Sequence, residues 1–314
     1  MLFSGKRASV LGVVLASAMA LSACGGAQGG NAAGRTYSDA KGDKQIPERP
    51  SRVVTTQYLP HMLALGEKPV GAPGFLIDAL NRLNEVSGRS YDATGIEDVG
   101  YPPDEERMTA INPDLIVTLD DENYDNYSKI APTAIVSFLE LNVWDQLLRV
   151  GEALNREDEA RAWIDEYNRK AKEAKDKLPS SSGESETVGV YRIYQKELRV
   201  YGARNGGYVL YDSLGLKPPA PITDLIGKDP NFVYESISLE KLPEFAADRM
   251  IVLVTDDQES KTFLEEVQNS ALWQNLAAVR EGRLHFVDNN VWLNYSPLAI
   301  DYQLEQAADL LTGS

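Results

Sequence analysis

The sequence predicts an α/β protein made of two related lobes with a candidate helical rod between them. In both halves, apolar runs of strand length alternate with helical patterns. A short internal repeat recurs in the same order in each half, and one long amphipathic segment lies between the halves. The length of 314 residues fits about two domains with real hydrophobic cores.

Composition removes several function classes. The formal net charge of −16 argues against a nucleic-acid partner, which needs a clustered Lys/Arg surface. One Cys rules out an intramolecular disulfide, and two His cannot build a three-His metal site. No protein-bound metal and no intrinsic cofactor are therefore expected.

At the N-terminus, Lys6 and Arg7 precede an uncharged run over 8–23 that is too short for a membrane span of about 20 residues. This order is that of an export signal, which assigns 1–23 to a removed leader. The run ends Leu21, Ser22, Ala23, Cys24, Gly25, which resembles the lipobox of bacterial lipoproteins, in which the Cys is lipidated. The small residues that follow (GGAQGGNAAG, 25–34) read as a leash. Residues 24–45 are taken as a flexible tether, with a reach of about 25 Å as a random coil. The mature chain is then expected outside the cytoplasm, held at a membrane by lipid.

The N-terminal lobe is assigned to 46–155. Residues 52–56 (RVVTT), 68–72, 114–118 (DLIVT) and 134–138 (AIVSF) have the apolar character of buried strands, and 59–65 that of a short helix. The C-terminal lobe is assigned to 186–314. It opens with TVGVYRI at 187–193, continues through a Tyr/Leu-rich helix, and adds strands at 250–255 (MIVLVT) and 284–287 (LHFV). The repeat links them. LGEKP at 65–69 is matched by LGLKP at 214–218, while Glu106 and Glu240 each stand eight residues before an Asp that opens a strand, Asp114 and Asp248.

Between the lobes, 156–178 carries Ala160, Trp163, Ile164, Tyr167, Ala171, Ala174 and Leu178 at helical spacing. Asn155 is the expected N-cap, and Glu157, Asp158 and Glu159 suit the first turn. The helix would be about 34 Å long and would stop before Pro179.

Taken in order, these segments resemble the substrate-binding lipoproteins of ABC importers for iron-siderophores, a family that includes vitamin B12 and haem receptors. The resemblance is carried by the lipobox, PERPSRVVTT (47–56), INPDLIVT (111–118), SLEKLPEFAADRMIVL (238–253) and LWQNLAAVREGRLHFVD (272–288). WLNYSPLAIDYQLEQ (292–306) is most similar to the ferric-hydroxamate branch. The resemblance implies two Rossmann-like lobes joined by a single long helix, the helical-backbone type of periplasmic binding protein. It also implies a ligand in the cleft, limited hinge closure and a monomer.

A ferric siderophore already supplies the iron's oxygen ligands, so its receptor needs an aromatic wall and a few cations, and no metal ligands. On the resemblance, Arg192 in VYRI matches a position that places a cation over the chelate oxygens. Arg204, in the Gly-rich turn YGARNGG, is a second candidate cation. Trp292 and Tyr295 match aromatic wall positions. Tyr58, with Gln57, follows the first strand, where open α/β sheets bind ligands; neighbouring His61 is read as a structural group. Glu106, or Glu105 beside it, and Glu240 match the carboxylates with which each lobe docks on a membrane permease, itself driven by a cytoplasmic ATPase.

Other readings keep the fold and change the cargo to haem, cobalamin or ferric citrate, or make the chain a surface siderophore sensor. An extracellular hydrolase is disfavoured, because the chain has no GxSxG elbow and neither His has a triad context.

Overall fold

The computed structural model describes residues 34–119, 122–179 and 186–312. The expected leader and Cys24 lie outside the described residues. The first described element corrects the expected tether. Strands β1 (Gly34–Asp39) and β2 (Gly42–Pro47) form an antiparallel hairpin over residues expected to be flexible. Two apolar side chains within a polar stretch explain it: Tyr37 and Ile46 are buried with Val53, Val136 and Leu147. The Tyr37 hydroxyl donates to the Ile135 carbonyl at 3.1 Å, and the Asp39 carboxylate accepts from the Ile135 N–H at 2.7 Å.

The N-terminal lobe is a five-stranded parallel sheet in the order β5-β4-β3-β6-β7. Its strands are β3 (Val53–Thr55), β4 (Gly71–Ala72), β5 (Glu97–Asp98), β6 (Leu115–Thr118) and β7 (Thr133–Ile135). In the C-terminal lobe the order is β10-β9-β8-β11-β12. Those strands are β8 (Val188–Tyr194), β9 (Glu197–Tyr201), β10 (Tyr234–Ile237), β11 (Arg249–Val254) and β12 (Leu284–Val287). Counted within each lobe, both sheets read 3-2-1-4-5. In the second lobe, however, strands β9 and β10 run antiparallel to their neighbours.

The repeated motifs occupy matching places. After LGEKP, the Val70 N–H donates to the Val53 carbonyl; within LGLKP, Lys217 forms a parallel bridge with Thr187 at the start of β8. Asp114 accepts from the Ser51 and Arg52 N–H groups and the Ser51 hydroxyl. Asp248 accepts in the same way from the Thr187 N–H and hydroxyl, both at 2.8 Å. Burial pushes the Asp248 pKa up, but the Thr187 hydrogen bonds and the charge of Arg283 outweigh it and leave it lowered. Each Asp pins the chain entering its lobe's first strand to the chain entering the fourth.

The long helix spans Glu157–Lys177. Its apolar stripe is divided: Ala160, Trp163 and Ile164 join the N-terminal core with Leu147, Val150 and Leu154. Tyr167, Ala171, Ala174 and Leu178 join a second cluster with Val188, Val209, Leu214 and the C-terminal helix Pro297–Thr312. The opposite face is solvated and carries ion pairs such as Arg169–Glu166 and Lys172–Asp176, each worth a few tenths of a kcal/mol. Asn155 is not the N-cap of this helix. At φ +58° it ends the preceding helix, Val143–Leu154, in the left-handed conformation that Asn tolerates, and Arg156 takes the N-cap position.

The lobes also meet away from the rod. Helix Gly74–Ser87 contributes Leu76, Leu80 and Leu83 to the cluster containing Trp292 and Leu298. Arg82 reaches Asp288 at 2.6 Å, and buried Asp301 is held by Arg89 of the first lobe and Lys170 of the rod, both at 2.8 Å.

Asp114→Ala and Asp248→Ala should each lower unfolding stability by about 2 kcal/mol, the value of a hydrogen-bonded carboxylate. Urea denaturation would read this; an unchanged midpoint in either variant would remove that Asp from the shared scheme.

Candidate ligand cleft

A cavity of about 440 Å³ opens between the lobes at the carboxyl ends of the first lobe's strands. From that lobe come Gln57, Pro60 and His61 at the start of helix Leu59–Ala64, Phe75, Leu76, Asp78 and Ala79 of helix Gly74–Ser87, and Phe138 after β7. From the C-terminal lobe come Asn205, Asn290, Leu293, Asn294, Tyr295 and Ser296. Asp78 is the one charged residue of this lining, since burial lowers the His61 pKa to about 3 and leaves the ring neutral.

Buried amides fix the loops of both walls. Gln146 donates to the Phe138 and Leu141 carbonyls at 2.9 and 3.0 Å, and Gln303 to those of Val291 and Asn294 at 2.7 and 3.0 Å. Phe75 is 42% exposed at the mouth and meets the ring of Tyr101 edge-on at 4.8 Å, which extends the aromatic surface outward.

Of the expected ligand residues, Tyr295 lines the cavity. Its hydroxyl accepts from the Val143 N–H at 3.2 Å, and its ring lies 4.5 Å from the Arg204 guanidinium. Arg204 does not open onto the cleft. It is 5% exposed and donates to the Phe138 carbonyl at 2.8 Å and to those of Leu139 and Leu141 at 3.1 and 3.4 Å. It is a latch from the C-terminal lobe onto the loop after β7.

Tyr58 and Trp292 are core residues. Tyr58 turns inward beneath the sheet end, where its hydroxyl donates to the Val136 carbonyl at 2.6 Å and burial raises its pKa far above the usual phenol value. Trp292 is fully buried against Gly206 and donates its indole N–H to Gln306 at 2.5 Å. In both cases an aromatic ring on a loop flanking a sheet faces the core as readily as the solvent side.

Arg192 lies at the carboxyl end of β8, outside the cavity lining. It donates to the Thr255 hydroxyl at 3.0 Å, lies 4.7 Å from the Tyr194 ring centre and has Arg199 as its register partner on β9. Tyr194, Arg199, Tyr201 and Tyr234 form a cation–aromatic patch with it. Strand alternation could have indicated this patch, because Arg192 and Tyr194 share one face, as do Arg199 and Tyr201.

Glu106 and Glu240 occupy matching places after the third strand of each lobe. Both are exposed and near a helix start. Asp104 caps the Glu106 and Arg107 N–H groups, while Glu105 accepts from the Asn126 amide at 2.9 Å. That contact separates Glu105 from Glu106. Among the described residues no group of three or more His, Cys, Asp or Glu is placed to hold a metal ion, and no helix is long and apolar enough to cross a membrane.

The family model for periplasmic binding proteins matches residues 85–291. The chain belongs to that family of substrate-binding proteins. It is 32% identical to the iron(3+)-hydroxamate-binding protein YxeB of Bacillus subtilis, over 98% of this chain and 97% of YxeB. It is 30% identical to the iron(3+)-hydroxamate-binding protein FhuD of the same organism, over 88% and 86%. Among solved structures it is similar to a FhuD fold-family protein of Bacillus subtilis, described as the periplasmic binding protein component of a Fep/Fec-like ferrichrome ABC transporter. The TM-score is 0.76 at 28% identity, covering 88% of this chain and all of that one. These comparisons establish the two-lobed, helix-joined fold expected from the sequence.

Tyr58→Phe should lower stability by about 1 kcal/mol and leave ligand affinity unchanged, whereas Arg204→Ala should cost about 2 kcal/mol by removing the charged donor of three carbonyls, two of which Gln146 still serves. Chemical denaturation checks both; a neutral Arg204→Ala would show that the latch is not formed in solution.

Proposed function

We propose that this chain is the extracytoplasmic substrate-binding component of an ABC importer and captures a ferric siderophore, with hydroxamate chelates favoured. The carrying observation is the lining of the interlobe cavity: apolar, aromatic and neutral amide side chains around a single carboxylate. A trihydroxamate wraps its iron in oxygen and presents a largely neutral, partly apolar exterior, which such a wall accommodates. The similarity to YxeB and FhuD supports the same cargo.

In this reading the protein performs no chemistry on its ligand. Tyr295 and Phe138 give the cavity its aromatic wall, with Phe75 and Tyr101 at the mouth, while Gln146, Gln303 and Arg204 hold the loops in place before binding. Lobe contacts through Arg82–Asp288 and Asp301 keep closure small. The Cys24 lipid would hold the monomer at the membrane, and exposed Glu106 and Glu240, one per lobe, would meet cations on the two permease subunits.

The Arg192–Arg199 patch favours a second reading, a ferric carboxylate such as citrate, because the Arg192 guanidinium suits an anionic chelate, while Arg199 beside it is paired with Glu197 at 2.7 Å.

Quenching of Trp and Tyr fluorescence should show tight binding of ferric hydroxamates and weaker binding of ferric catecholates, ferric citrate, haem and cobalamin. Tightest binding of ferric citrate would establish the second reading, and no response across the panel would overturn both. Arg192→Ala should weaken an anionic chelate more than a neutral one; equal effects would remove Arg192 from ligand contact. Charge reversal at Glu106 and Glu240 should abolish uptake in cells while leaving chelate affinity within about twofold. A parallel loss of affinity would place these residues in lobe support.

A further inference from the structure

Two side chains in the cavity floor carry hydrogen-bonding capacity that the fold leaves unused. His61 is 2% exposed, and neither ring nitrogen meets a protein partner in good hydrogen-bond geometry. Ser296 is 3% exposed, and its hydroxyl also lacks one. Both line the cavity, one from each lobe, and their helices Leu59–Ala64 and Pro297–Thr312 pack against each other. Burying such groups without full hydrogen bonding is costly, so a fold with only a structural use for them would gain from apolar replacements.

The nearest protein groups absorb part of this capacity. Gln146 lies in hydrogen-bonding reach of His61 with its amide N–H groups committed to Phe138 and Leu141, so its side-chain oxygen takes up one ring N–H and leaves the other ring nitrogen as an acceptor. Ser296 directly precedes the sixteen-residue C-terminal helix, and its carbonyl accepts the Ile300 N–H. The floor therefore joins a neutral imidazole, a hydroxyl and the positive end of a helix dipole. That combination suits an uncharged oxygen acceptor that can also donate, and it gives a full carboxylate no cation among the lining residues.

We propose that His61 and Ser296 form a recognition point that hydrogen-bonds an uncharged amide or hydroxyl group on the scaffold of the bound chelate, apart from its iron-bound oxygens. The inference rests on the siderophore reading above and adds to it the part of the molecule being read. An aromatic wall alone would hold any chelate of suitable girth, whereas this pair selects among chelates of equal charge by their backbone.

The test uses the purified chain with two ferric hydroxamates of different backbone, ferrichrome and ferrioxamine B, and measures affinity by fluorescence quenching and stability by thermal unfolding. His61→Phe and Ser296→Ala should each weaken the preferred chelate about tenfold while leaving Tm unchanged or raised, because each removes a buried polar group without full hydrogen bonding. His61→Gln, which keeps a donor and an acceptor, should bind more tightly than His61→Phe. The preference between the two chelates should narrow in both polar-to-apolar variants. Unchanged affinity for both chelates in His61→Phe and Ser296→Ala would overturn the proposal while leaving the siderophore reading intact. A lowered Tm with affinity reduced equally for both chelates would assign the two residues to structure and overturn it as well. Failure of the unaltered protein to bind either chelate, or any other ferric chelate, would overturn the siderophore reading itself.

Discussion

The rod helix divides one apolar stripe between two cores, and the geometry of the cleft depends on that division. Ala160 and Ile164 pack in the first lobe's core, Trp163 touches both clusters, and Tyr167, Ala171, Ala174 and Leu178 pack in the cluster that holds the second lobe's Val188, Val209 and Leu214. Both lobes are therefore registered on one rigid element, and rotating either would strip side chains from its face. A flexible two-strand hinge would allow wide opening; a helix whose apolar face is packed along its length does not. The loops facing each other across the cavity inherit this fixed spacing.

On that frame, polar contacts across the lobe boundary do much of the positioning. Arg204 crosses from the second lobe to three carbonyls of the first, and Gln146 binds the same loop from its own lobe. Asp301 joins the C-terminal helix to Arg89 and Lys170 in a buried cluster. Such partly buried pairs add more to specificity of arrangement than to net stability, because desolvation offsets much of their attraction. The cleft is thus shaped before any ligand arrives.

Much of this architecture was legible in the sequence, for reasons that can be named. The rod announced itself through seven apolar side chains at helical spacing, and the lobe kinship through LGxKP and through Asp114 and Asp248, whose carboxylates perform the same task. Side-chain direction at strand ends was not legible. Tyr58 and Tyr295 both follow strands and both look like wall aromatics, yet only the latter faces the cavity. Arg204 could not be told from an open cation, because its three acceptors lie more than sixty residues away. His61 was read as structural because a lone imidazole carries no pattern, and only its place in the cavity distinguishes it.

The hairpin over Gly34–Pro47 changes where the folded body begins. By folding onto the edge of β7 it withdraws those residues from the slack. β7 is the outer strand of its sheet, and its Ile135 N–H and carbonyl are taken up by Asp39 and Tyr37 of the hairpin. That blunts the exposed edge as a template on which a strand of another chain could pair.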